Sequence, residues 1–241
     1  TSRGASLLER IRPLLKELRD IDREARPQGF FNGTLRLGII PTIAPYLLPR
    51  LVPALRQTQP ELRLEVREAT TAQLVAAQAV NELDAFIAAA PIDAPGLNSI
   101  PLIDDRFFVA SASNEQDVLV SPEHGGFPVE RLLLLEEGHC LRDQALAFCS
   151  DAAGSTLREL GATSLTTVMQ MVANGYGVTL IPEIAVPVEA RDDRVKLLRF
   201  AKPEPFRTVG LAWRRTSSPC SRSAGSSWRR PRAGAPTRTR C

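Results

Sequence analysis

Two of the four cysteines, Cys140 and Cys149, stand nine residues apart in the run that begins Gly138-His139-Cys140-Leu141-Arg142-Asp143. A thiolate is a nucleophile and a metal ligand, and its surroundings govern its abundance. Cys140 opens a stretch of helical spacing, with Leu141, Ala145 and Phe148 on one face and Arg142 and Asp143 in the first turn. The positive end of a helix dipole, His139 and Arg142 could each lower the thiol pKa there. Nine helical steps separate the two Cα atoms by about 13 Å, whereas a disulfide needs roughly 4.4–6.8 Å. The thiols can therefore join only if the helix unwinds, which would couple oxidation to a change of shape. Other readings stay open at this point. Both thiols can simply be buried packing. A zinc site would lack the close cysteine spacing and a fourth ligand. A Cys–His hydrolase would need adjacent residues to orient as base and nucleophile, which is rare. The chain has neither a G-x-G-x-x-G motif nor a P-loop.

These residues need a scaffold, and the periodicities describe one. Residues 5–26 carry Leu7, Leu8, Ile11, Leu14, Leu15, Leu18 and Ile21 at three- and four-residue spacing, which predicts an amphipathic helix ended by Pro27 and Gly29. Its narrow apolar stripe suits packing on a second copy or bridging to another domain. Strand, helix, strand, helix and strand are expected over 34–40, 42–57, 62–66, 70–83 and 84–90, the pattern of a parallel sheet with crossover helices. Pro45, Pro49 and Pro53 favour an irregular first half of the first of these helices. A second unit has strands expected over 107–112, 131–135, 177–181 and 195–200, and helices over 140–152 and 164–174. Ser164 caps the latter helix and Gly175 stops it. A last strand, 208–213, returns to the first unit. The expected fold class is α/β: two Rossmann-like lobes with a cleft between them, and ligands near strand ends and helix N-termini. The expected boundaries are a linker helix over 1–29, lobe I over 30–104 plus 208–213, lobe II over 105–207, and a tail over 214–241.

Composition narrows the class. A chain of 241 residues with 44% hydrophobic and 24% charged residues is neither collagen-like, low-complexity nor wholly disordered. Four cysteines in this length do not make a disulfide scaffold. No apolar run approaches the ~18 residues of a membrane-spanning helix, and the charged first 26 residues lack a signal-peptide stretch. The expected location is cytoplasmic. The net charge of +3 hides an asymmetry, because residues 214–241 hold eight Arg and no acidic residue. Without them, 22 basic residues face 27 acidic ones. A basic arm on nucleic-acid phosphate is one reading of the tail. An end without a fold of its own, such as a shifted reading frame in GC-rich DNA produces, is the preferred one. Cys220, Trp228 and Cys241 lie there and receive no role.

The run "EEGHCLRDQALAFC" resembles the redox segment of OxyR-type regulators, the peroxide-sensing branch of the LysR-type transcription regulators. "GTLRLGIIPTIAPYLLPRLVPAL", "ATSLTTVMQMVANGYGVTLIPEIAVP" and "KPEPFRTVGLAWR" extend the resemblance over residues 5–215. The resemblance implies a LysR effector domain of periplasmic-binding-protein-like architecture, with residues 30–213 as the redox-sensing domain. It implies that hydrogen peroxide oxidises Cys140 to a sulfenic acid, which Cys149 resolves to a disulfide. His139, Arg142 and Asp143 would tune the thiolate and polarise the peroxide. Thr42, Thr71 and Arg207 would line the peroxide pocket, although both threonines, at strand-to-helix junctions, are equally readable as N-caps. Val168–Met171 and the Gly175–Gly177 turn suit packing and backbone geometry.

The implied partners are a homodimer or homotetramer, RNA polymerase, and a reductant of thioredoxin or glutaredoxin type. Operator DNA would be met only through an N-terminal winged helix-turn-helix missing from these residues. No cofactor, metal or membrane is implied. The chemistry is stoichiometric and not that of an enzyme with turnover. The tail after about residue 216 departs from the family's C-terminal helix. A LysR-type effector domain that binds a metabolite, with an incidental cysteine pair, is the alternative; a periplasmic solute-binding protein and a thiol peroxidase are the other rivals.

Overall fold

The computed structural model describes residues 1, 6, 9, 11, 33–92, 94–115, 131–148 and 158–215, with the backbone alone described at 148 and 158–161. Ser6, Glu9 and Ile11 are helical. The rest of the expected helix over 5–26, together with His124, Cys149, Cys220, Trp228, Cys241 and the tail beyond 215, lies outside the described residues.

Apolar β1 (Gly33–Ile39) pairs in parallel with β2 (Leu62–Glu68) on one side and β3 (Ala85–Ala89) on the other. Helices α1 (Ala44–Thr58) and α2 (Thr71–Ala79) make the crossovers. A parallel pair cannot be closed by a hairpin, so each connection carries a helix that covers the sheet. The core of this lobe gathers Leu37, Ile39, Ile43, Leu74 and Phe86.

The long strand β4 (Leu97–Ala112) then leaves the first lobe. Its first part runs antiparallel to the last strand, β9 (Phe206–Arg214), which also pairs antiparallel with β3. Its second part, from Phe107, pairs with β7 (Thr179–Pro182), and from Phe108 with β8 (Val195–Arg199). A separate parallel pair, β5 (Leu133–Leu135) and β6 (Arg158–Ala162), joins this side through a bridge from Leu132 to Val178. Helices α3 (Cys140–Phe148) and α4 (Leu165–Ala173) complete the second lobe. The buried face of α4 presents Leu165, Val168, Met169 and Val172, the spacing of an amphipathic helix. A 3-10 turn (Glu183–Ala185) and a single helical turn, α5 (Val186–Glu189), follow β7. The chain is thus α/β with two lobes, each built on its own apolar core.

Three expectations differ from the structure. The first helix is continuous despite its prolines: Pro45 falls in the first turn, where no donor is needed, and Pro49 and Pro53 follow within the helix. The three share one face at four-residue intervals and line an apolar groove with Leu48 and Val52. Strand β4 begins ten residues before the expected start. Pro101 and a bulge between Pro101 and Ile103 break the alternation there and leave Ile100, Leu102 and Ile103 exposed. Strand β6 was not expected at all. No helix of the described residues is long and apolar enough to cross a membrane.

Candidate functional site

Helix α3 starts at Cys140 after a tight turn. Gly138 sits at φ +89, a left-handed conformation that suits glycine. The Arg142 N–H donates to the His139 carbonyl at 2.9 Å, so the helix is wound from its first turn. Leu141 and Ala145 bury the inner face in the second lobe, while Cys140 packs against the apolar core of the first. The thiol therefore lies where the lobes meet.

The facing wall comes from two strand-to-helix junctions. Thr42 follows β1, and Thr70 and Thr71 follow β2. With Ile40, Gly138, His139 and Cys140 they border a small, partly open pocket, too narrow for a water molecule unless its walls move. Neither candidate threonine caps a helix. Ile43 occupies the N-cap of α1 and Thr70 that of α2, where the Thr70 N–H donates to Gln73 Oε1 at 3.1 Å. The buried Thr71 hydroxyl oxygen has no hydrogen-bond partner among the described residues.

Behind Thr42 lies a buried ion pair. The Arg207 guanidinium donates from Nε to Asp105 Oδ2 at 2.9 Å, and its Nη2 lies 2.9 Å from the same oxygen. Its Nη1 donates to Thr42 Oγ1 at 3.0 Å and its Nη2 to the Thr42 carbonyl at 3.1 Å. A hydroxyl that accepts from a permanent cation has its own proton to give. Thr42 lines the same pocket as Cys140, and its hydroxyl favours the Cys140 thiolate.

The electrostatics differ from the sequence expectation. Burial dominates and pushes the thiol pKa up. Arg207, the Thr42 hydroxyl and the Ala89 backbone pull it down, and Asp143 pushes it up. The cation that favours the thiolate is thus Arg207. Arg142, expected in that role, is buried and directs Nη1 at the Leu135 carbonyl, 3.2 Å away. His139 is buried at the edge of the pocket, and Asp143 is exposed.

The structure brings Thr42, Thr71, His139, Cys140 and Arg207 together, turns Arg142 to the Leu135 carbonyl, and leaves exposed Asp143 to act on the thiol through its charge; Cys149 is outside the described residues. Sequence reasoning missed Asp105. The signal was present, because Asp105 shares the inward phase of Phe107 and Val109 on an alternating strand. Among the described residues, no group of three or more His, Cys, Asp or Glu is arranged to hold a metal ion.

The chain matches the LysR substrate binding domain over residues 28–223. It is 40% identical over 220 residues to the DNA-binding transcriptional dual regulator OxyR of Escherichia coli, covering 89% of this chain and 71% of that protein. A probable hydrogen peroxide-inducible genes activator of Streptomyces viridosporus is 41% identical over 225 residues, covering 88% of this chain and 69% of that one. Among solved structures, the reduced OxyR regulatory domain from Pseudomonas aeruginosa has a TM-score of 0.69 at 35% identity, over 77% of this chain and 88% of its own. A hydrogen-peroxide-bound cysteine-to-serine mutant of OxyR from Corynebacterium glutamicum has a TM-score of 0.72 at 32% identity, over 88% and 66%. By the match across most of its length and its identity to these regulators, the chain belongs to the OxyR family of LysR-type transcription regulators.

Proposed function

We propose that this chain is the peroxide-sensing part of a transcription regulator, and that Cys140 is the residue hydrogen peroxide oxidises. The observation that carries this reading is Cys140 at a helix N-terminus, sharing a pocket with Thr42, whose hydroxyl accepts from the fixed charge of Arg207. In the first step the thiolate attacks one peroxide oxygen and the O–O bond breaks. The sulfur becomes a sulfenic acid, and the other oxygen leaves as hydroxide, protonated to water. Thr42, Thr71 and His139 border the space in which that oxygen would sit. In the second step the Cys149 thiol attacks the sulfenic sulfur, a disulfide forms and water leaves. The sequence spacing of the two cysteines requires α3 to unwind for this.

The unwinding changes subunit packing in a dimer or tetramer paired through a linker helix over 1–29. The sensing unit is residues 30–213, with lobe I over 30–104 plus 208–213 and lobe II over 105–207. Operator contact belongs to the winged helix-turn-helix of such regulators, with RNA polymerase as the downstream partner. A thioredoxin- or glutaredoxin-type reductant resets the pair, and the chemistry is stoichiometric, without turnover. The regulator acts in the cytoplasm.

Peptide mass spectrometry under non-reducing conditions, after stoichiometric peroxide, tests this. One Cys140–Cys149 link that forms within minutes and is reversed by thiol reductant is the expected result. Cys140→Ser abolishes it, and Cys149→Ser leaves a sulfenic acid on Cys140. A normal disulfide response in Cys140→Ser sinks the assignment.

A further inference from the structure

We propose that Asp105 is a positioning residue for the thiol chemistry of Cys140: it holds Arg207 so that Nη1 reaches Thr42 Oγ1 and the Thr42 hydroxyl turns its proton toward the sulfur. The inference rests on the reading of Cys140 as the reacting thiol.

Asp105 and Arg207 are register partners across β4 and β9, immediately before β4 turns to its second set of partners. Both side chains are 1% exposed. A guanidinium this deep keeps its place only with a carboxylate to balance it. Asp105 Oδ2 takes Nε and Nη2, both at 2.9 Å. Its other oxygen, Oδ1, accepts the Ile184 N–H at 3.0 Å from the turn after β7. With both oxygens engaged, the carboxylate cannot rotate without losing a bond. Arg207 is fixed in turn, and the ring of Phe107 lies 6.0 Å from its guanidinium carbon. The remaining fork of Arg207 is left for Thr42, through Oγ1 and the carbonyl.

The charged groups acting on Cys140 are Arg207 and, from its own helix, Asp143; His139 borders the same pocket. This arrangement gives a diagnostic sign. If Asp105 acted only as a charge, removing it would strengthen the pull of Arg207 and make Cys140 more acidic. If it positions the relay, removing it makes Cys140 less acidic.

The experiment uses the whole chain with Cys149, Cys220 and Cys241 replaced by Ser. The pH profile of Cys140 alkylation by iodoacetamide is measured beside the rate of oxidation by hydrogen peroxide. Asp105→Asn is expected to raise the alkylation midpoint by about one unit, and so to slow the reaction about tenfold at neutral pH. Asp105→Glu, which keeps the charge and both acceptors, returns most of the rate. Thr42→Val produces a similar rise by itself, and adding Asp105→Asn to it produces no further rise. A lowered or unmoved midpoint in folded Asp105→Asn overturns the proposal, as does a full additional shift in the double variant. Should Asp105→Asn fail to fold, Arg207→Lys takes its place. It keeps the charge but not the fork, and an unmoved midpoint overturns the proposal equally. Peroxide inertness of the parent chain would instead overturn the sensing role, while the alkylation profiles still report on the relay.

Discussion

Burial opposes the Cys140 thiolate more strongly than Arg207 and Thr42 favour it, so the thiol pKa lies above its ordinary value. The reacting thiolate is therefore the scarcer form, and each group that favours it raises the rate of attack on peroxide. Alkylation of Cys140 should keep accelerating with pH past the ordinary thiol value of about 8.5. A rate already level at pH ~7 would contradict this. The same group ties stability to pH. The unfolded chain, with an unperturbed thiol, ionises first. The stabilisation is therefore complete below the ordinary thiol pKa and is lost as pH rises through the higher folded value. Urea titrations across the alkaline range should show falling stability, with a shallower fall in Cys140→Ser.

Helix α1, which begins just after the pocket wall, carries an anchor. Tyr46 lies one turn beyond Thr42, is buried in the core of the second lobe, and donates to Glu189 Oε1 at 2.9 Å. Burial and the neighbouring carboxylate hold this phenol neutral far above its usual range. Tyr46→Phe should cost about 1 kcal/mol by chemical denaturation, the worth of one such hydrogen bond. At the end of α4, a Cβ on Gly177 would lie 2.2 Å from the Arg131 carbonyl oxygen. Gly177→Ala should therefore cost about 1–3 kcal/mol and loosen the junction of β5 and β7, seen as faster amide exchange there. The parallel core was legible in the sequence because Leu37 and Ile39 lie in one continuous apolar run and Phe86 and Ile87 in another. The first half of β4 was not, since its bulge and Pro101 erase the period of two that marks a strand. Within the site, Cys140, His139 and the threonines announced themselves by type and position. The source of the charge on the thiol was legible only through the family resemblance, because Arg142 is near in sequence whereas Arg207 is brought near by strand pairing.

Seen whole, the molecule is tied across its middle by two strands. Nine residues of β4 are in register with β9, and the next six pair with β7 and β8. With one strand shared so fully, the lobes should unfold together. Tryptophan fluorescence from Trp213 in the first lobe and amide exchange of α4 in the second should report one midpoint, and two separated transitions would refute this. The seating of Cys140 has a mechanical meaning on this scale. Its helix belongs to the second lobe, yet its sulfur completes the apolar filling of the first. Any oxidation that draws the sulfur away uncorks that core and leaves a void about the size of a methyl group, at a cost of roughly 1 kcal/mol. Once the disulfide is cut, the empty seat pulls the sulfur home, and the switch carries its own return spring.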